Sequence, residues 1–315
     1  MTGRVSTAAS PSNSIWRRIH RSDAWYSFIT SPTTVVAMMA TVIIVLAAVF
    51  APWLAPHTPF DADSVNLGDA FTPPVWAAEG MRTYILGTDG QGRDMLSALM
   101  FGSRTSLLVG LAVVLISATT GVALGLSCAY FGGLLDSFIM RAADVQLTFP
   151  SILIALLVDG LTRAALPREM HDAMALYVVI ASLSLANWVQ YARIVRGAAM
   201  VELRKDYVEA AHVTGASARA IMFGHVLPNV VSPVLVIGTL GLALAMINEA
   251  TLSYLGVGMP ITQPSLGTLI RNGNDFLFSG EWWIAIFPGA LLVVMVLAIN
   301  LLGDWARRVL NPRLR

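Results

Sequence analysis

The sequence predicts an all-α membrane protein with six transmembrane helices. Hydrophobic residues make up 56% of the 315-residue chain and charged residues only 12%. Mean hydropathy is +0.68, and charge-free runs long enough to cross a bilayer recur along the chain. Soluble domains carry about 25% charged residues, so a soluble class is a poor fit. The formal net charge of +1 offers no electrostatic footing for nucleic acid. The one cysteine, Cys128, lies in an apolar run; it excludes a disulfide within the chain and reads as small apolar filler.

A helix needs about 20 apolar residues to cross a hydrocarbon core roughly 30 Å thick. Residues 1–30, rich in Ser and Thr, read as a tail. The first span, 31–56, contains the charge-free run Thr33–Leu54. That run is longer than the roughly 7–15 apolar residues of a signal peptide, so it is expected to be retained although Arg17, Arg18 and Arg21 precede it. Residues 57–104, with Pro59, Pro73 and Pro74, form an external segment expected to fold as a cap on the membrane part.

The core, 105–305, holds the runs Thr105–Leu135, Ala173–Ala192, Ala220–Asn248 and Trp282–Gly303. A further span is expected at about Leu134–Val158, with Asp136, Arg141 and Asp144 at its interfacial end. A second external segment, Thr251–Glu281, is rich in Pro and Gly, and 306–315 form a second tail. Gly121, Gly125, Ser182, Ser184 and Asn187 are small or polar residues within spans and call for helix partners rather than lipid.

Six spans place both termini on one side, and the basic residues identify it. Segments on the side of the termini hold fourteen Lys and Arg and the other side holds six, so the termini are expected in the cytoplasm. The same side receives an unusual loop, at about 193–228. Read as a helix, Val201–Thr214 places Leu203, Tyr207, Ala210 and Ala211 on one face and Glu202, Asp206 and Glu209 on another. Gly215 follows as a C-cap and Ser217 as the N-cap of a helix running toward Pro228. Two short helices at a glycine elbow, with two alanines beside an acid, form a protrusion suited to a partner's groove. A solvated linker between spans is the plainer alternative.

Other stretches invite chemistry without supporting it. The glycines of "GTDGQGRD", from Gly87 to Asp94, lack a complete G-x-G-x-x-G and follow no strand. A Walker A loop is excluded, since the sole lysine, Lys205, stands between Arg204 and Asp206. Ser127 lies in a span, but all five histidines fall in tails, loops or span ends, so no base reaches it and helix packing is its expected role. No paired ligand spacing points to a metal. Asn248 and Glu249, at the end of an apolar run, either line a path or hold the external segment in place.

"EAA" at Glu209–Ala211, Gly215, and "VLP" at Val226–Pro228 together resemble the EAA loop of ABC-importer permease subunits. His225 stands where that family usually has an aliphatic residue, a form similar to the branch importing peptides, nickel and related solutes. "LGTDGQGRDMLSALMFGSRTSLLVG" (Leu86–Gly110) and "EATLSYLGVGMPITQPSLGTLI" (Glu249–Ile270) resemble two further segments of that branch, with Tyr254 and Leu266 as departures. The likeness continues through "FPGALLVVMVLAINLLGDWARRVLNPRLR" at the end of the chain. It implies a MetI-like fold and the C-type permease of a dipeptide or oligopeptide importer in a bacterial inner membrane.

The resemblance also implies a sister permease, two ATP-binding subunits and an external solute-binding protein. ATP and Mg would sit on those partner subunits, with no cofactor in this chain. Its EAA loop would be the coupling helix that contacts the ATP-binding subunit through Asp206, Tyr207, Glu209, Ala210, Ala211 and Gly215, with His225 and Pro228 at the exit. Dipeptides, longer peptides, glutathione-like solutes and nickel chelates all stay open as cargo. A self-sufficient secondary transporter or channel is the alternative from another class.

Overall fold

The structure is a computed structural model that describes residues 23–60 and 66–310. The tail expected at 1–30 therefore lies mostly outside the described residues, as do the last five positions of the second tail. Among the described residues eleven α-helices follow in order: α1 Asp23–Ile29, α2 Pro32–Val49, α3 Ala51–Leu54, α4 Met95–Phe131, α5 Gly133–Leu147, α6 Ser151–Ala165, α7 His171–Glu202, α8 Asp206–Val213, α9 Leu227–Tyr254, α10 Leu266–Asn274 and α11 Trp283–Leu310, with a π turn at Ala220–Val226 leading into α9 and short 3-10 turns at Leu67–Asp69 and Arg168–Met170. Among the described residues the only β feature is one bridge between Thr88 and Asp94.

Among the described residues five helical stretches are long and apolar enough to cross a membrane: Pro32–Val49, Met95–Phe131, Arg168–Glu202, Ala220–Tyr254 and Trp283–Val309. The remaining expected span, about Leu134–Val158, is not one continuous helix. It is the pair α5 and α6, bent by 94°, and six crossings result when the pair counts as one. The break falls at Thr148–Pro150 because proline has no N–H for the ladder and drives Phe149 out of the α region. The charges at the start of the pair do more than reach an interface. Asp136 accepts from Nε and Nη2 of Arg196 at 2.5 and 2.6 Å, and Asp144 pairs with Arg193. Both arginines belong to the last three turns of α7.

The helix α4 has 37 residues, about 55 Å at 1.5 Å per residue, and so overshoots a roughly 30 Å core. It starts ten residues before the apolar run does, within the segment expected to be external. Asp94 caps it, accepting the Ser97 N–H at 2.9 Å. Its most extensive partner is α7, and glycine explains how close they come. A Cβ on Gly121 would lie 2.5 Å from Tyr191 Cβ and 2.7 Å from the Trp188 carbonyl; one on Gly125 would lie 2.5 Å from the Ala192 carbonyl. These small residues therefore find their partner inside the chain. Ser182 and Asn187 likewise donate to carbonyls of their own helix, at Val179 and Leu183.

Three of the four apolar clusters among the described residues stack along the bundle. One near the cap joins Ile44, Leu99, Met246, Leu266 and Met295; a middle one joins Val113, Ala155, Leu183 and Leu252; a third sits under the 203–226 loop. The outer faces stay apolar and open, as at Ile43, Leu115, Val293 and Leu297, which is the surface lipid requires. Residues 66–94 fold back as a cap. The buried Arg93 pairs with Asp89 at 2.7 Å, and the Trp283 indole donates to the Thr88 carbonyl at 2.9 Å. Asp89 also accepts the backbone N–H groups of Gln91 and Arg93, so the glycine-rich stretch is a hydrogen-bonded turn.

Candidate functional site

The loop between α7 and α9 is built from local signals. The continuous helix expected over Val201–Thr214 is instead two pieces: α7 ends at Glu202, a turn follows at Leu203–Lys205, and α8 starts at Asp206. At its far end the Gly215 N–H bonds to the His212 carbonyl and the Ala216 N–H to the Ala211 carbonyl, both at 3.0 Å. That is a Schellman motif, and it needs the positive φ of +80° that Gly215 supplies. Ser217 accepts the Ala220 N–H at 3.3 Å as the next N-cap. The π turn then absorbs Pro228, which has no N–H to return to the preceding turn.

The break rotates the faces. Val208 and Ala211 point inward and are buried beside Leu126, Val195, Ala199, Ile221, Met222, Val226 and Val230. Ala211 was expected at a docking surface beside Ala210; with 8% of its surface exposed it is footing for the loop. The exposed face carries Asp206, Glu209, Ala210 and Val213, with Val213 at 88% exposure. Neither valine stands out in the sequence as a site residue. Their signal was available: Val208 and Ala211 are spaced i, i+3, and Val213 is the apolar residue off that face.

Tyr207 ties the loop to two spans. Its hydroxyl donates to Glu202 at 2.8 Å and accepts from the Asn229 amide at 3.1 Å, and the same amide donates to the His225 carbonyl at 2.7 Å. Desolvation, then the hydrogen bond it donates to Glu202, pushes the phenol above its ordinary pKa of 10.0. His225 contributes its carbonyl while its residue surface stays exposed, as does that of Pro228. From α4, Tyr130 stacks on His212, with centroids 6.0 Å apart and planes 18° apart. The loop thus rests on the ends of α4, α7 and α9 together.

At membrane depth, an open cavity of about 650 Å³ lies between α4, α7 and the break between α5 and α6. Thr120, Gln146, Tyr177, Ser184 and Trp188 give it its polar groups. Gln146 fixes the break onto α7, donating to the Leu185 carbonyl at 2.6 Å and accepting from the Trp188 indole at 3.0 Å. At the cap end, Asn248 is half-buried, and Glu249 has no exposed surface. Ser127 donates to the Ala123 carbonyl in its own helix at 2.7 Å, which occupies the hydroxyl without joining it to a neighbouring helix.

Comparison with known proteins gives concordant results. Residues 121–315 match the family described as binding-protein-dependent transport system inner membrane component. Residues 10–74 match the N-terminal TM domain of oligopeptide transport permease C. A di/tripeptide transport system permease protein of Pseudomonas aeruginosa is 36% identical over 92% of this chain and 91% of its own length. A dipeptide transport system permease protein of Escherichia coli K12 is 39% identical over 92% of each. Among solved structures, an inward-facing methionine ABC transporter aligns with 65% of this chain and 94% of its own, at 19% identity and a TM-score of 0.49.

Proposed function

The chain belongs to the family of binding-protein-dependent transport system inner membrane components and is a permease subunit of an ABC importer; from that premise we propose that it passes di- or oligopeptides and couples to separate ATP-binding subunits through α8. The observation that carries the coupling role is the division of α8 into a buried footing, Val208 and Ala211, and an open face of Asp206, Glu209, Ala210 and Val213. A linker has no need to expose an apolar side chain as fully as Val213 while anchoring its opposite face to three helices. The peptide assignment is supported by the names of the relatives. Family membership sets aside a self-sufficient secondary transporter or channel.

In this reading α8 and both termini face the cytoplasm of a bacterial cell, and the cap faces outward. A sister permease completes the pathway, and an external solute-binding protein delivers cargo. ATP and Mg sit on the two partner ATP-binding subunits. The 650 Å³ cavity forms part of this chain's half of the pathway, with Gln146, Tyr177 and Trp188 meeting a passing backbone. Its volume falls within the roughly 300–1,000 Å³ of small-molecule sites. The test is Val213→Asp in the purified assembly. A substitution at so exposed a site leaves this subunit folded and paired with its sister, and retention of the ATP-binding subunits in a pull-down falls at least tenfold. Undiminished retention would remove α8 as the docking element.

A further inference from the structure

Glu249 carries a carboxyl group with no exposed surface in the last two turns of α9, and two of the serines beside it form relays. Ser106 of α4 accepts the Leu266 N–H at 3.2 Å and donates to Oε2 of Glu249 at 2.9 Å. Ser253, one turn along α9, accepts the Met259 N–H at 3.0 Å and donates to Oε1 at 2.7 Å. Each serine therefore passes a backbone amide of the 255–266 segment on to one oxygen of the same side chain. Contacts between backbones leave little slack around the node. A Cβ on Gly267 would lie 2.4 Å from the Ala250 carbonyl, and one on Gly258 would lie 2.5 Å from the Ser253 nitrogen.

The opposite end of α9 is tied to the coupling loop, through Val226 and Val230 in its footing and Asn229 on Tyr207. One helix thus has the loop fastened to its first turns and the outer segment fastened to its last. We propose that Glu249 is a positioning residue that makes α9, α4 and the outer segment 255–274 move as one body, so that displacement of the coupling loop reaches the outward surface. This rests on the permease reading above and adds to it the outer end of the coupling route. An isolated buried acid has no comparable reason to divide its two oxygens between the two ends of one loop.

The test uses the complete importer in nanodiscs and Glu249→Gln. The amide keeps one acceptor, but its NH2 leaves the other serine's hydrogen without an acceptor, so one relay is lost. Hydrogen exchange over 255–270 should rise at least tenfold, while exchange over 206–216 and ATP hydrolysis without the solute-binding protein stay unchanged. Stimulation of hydrolysis by the loaded solute-binding protein should fall at least fivefold. Ser253→Ala, which removes the Met259 relay alone, should reproduce both effects in an assembly as stable as the wild type. Unchanged exchange in both variants overturns the clamp. Raised exchange with stimulation intact overturns its role in coupling, as does a loss of stimulation that only tracks loss of assembled complex. A wild-type complex that shows no stimulation by the solute-binding protein would count against the permease reading, whereas the exchange result judges the clamp without reference to transport.

Discussion

Adjacent alanines of α8 should respond in opposite ways to the same substitution. In Ala211→Arg the guanidinium replaces a methyl packed beside Val208, Leu126 and Ile221. The cluster it packs in is hydrophobic, and an unpaired buried charge costs several kcal/mol. The cheaper response is undocking of α8. That exposes Val208, worth about 1.5–3 kcal/mol, and the alanine methyl, worth roughly 0.8 kcal/mol, so the loss is limited to about 2–4 kcal/mol. Ala210→Arg adds the same charge to an exposed site and should change stability by only about 0.5 kcal/mol. Hydrogen exchange over 206–216, read beside a pull-down of the ATP-binding subunits, separates the two. Ala211→Arg should accelerate exchange at least tenfold and lose the partner as a consequence. Ala210→Arg should leave exchange unchanged and still lose the partner. The opposite assignment of the two phenotypes would mean that α8 faces the other way and would refute the division into footing and open face.

Three further outcomes follow from particular contacts. Gly121→Ala should lower the thermal midpoint, since its Cβ would meet Tyr191 and the Trp188 carbonyl at an overpacking cost of about 1–3 kcal/mol; Gly197→Ala, with nothing within 4 Å, should hold or raise it by helix propensity, and equal shifts would contradict the close seam between α4 and α7. Because docking raises the Tyr207 pKa above 10.0, its contribution is complete below that value and disappears as pH rises through the docked-state pKa; exchange over 206–216, corrected for intrinsic base catalysis, should stay flat to about pH 10 and then climb, and Tyr207→Phe should abolish the step. Reporters placed after Arg315 and near Arg204 should read as cytoplasmic and one near Asp69 as external; an external reading at Arg204 would defeat the topology and the coupling role together.

How much was legible in the sequence depended on the range of the interaction. Gly215 and Ser217 act on backbone groups within a few residues, so their roles at the helix end and the next helix start could be read directly. The five uninterrupted spans were legible because hydropathy is a property of each segment alone. The bend at Pro150 had a local signal too, but the apolar run across it concealed the break. The facing of Ala210 and Ala211 was not legible, because it depends on where α7 stops. Shifting the start from Val201 to Asp206 and packing Val208 under the loop turns the two alanines apart. The relays at Glu249 were beyond local reading as well, since Ser106 lies 143 residues away.

The same contrast bears on how a loop of this size would move spans in the proposed coupling role. An eight-residue helix has about two turns, too few to be stable alone, since isolated helices shorter than about 12–15 residues are marginal in water. Its rigidity must come from what it stands on. Val208 and Ala211 provide that footing, and the footing is shared: Val195 and Ala199 belong to α7, Val226 and Val230 lead into and lie within α9, and Leu126 belongs to α4. A push on the open face therefore cannot be taken up by one span. The glycine seam between α4 and α7 leaves no gap for one to slide before the other follows, and Tyr207 bonds across to Asn229 of α9. The three spans respond together, while the α5–α6 pair, held to α7 by two ion pairs and Gln146, is the part of the wall with a break at which to bend.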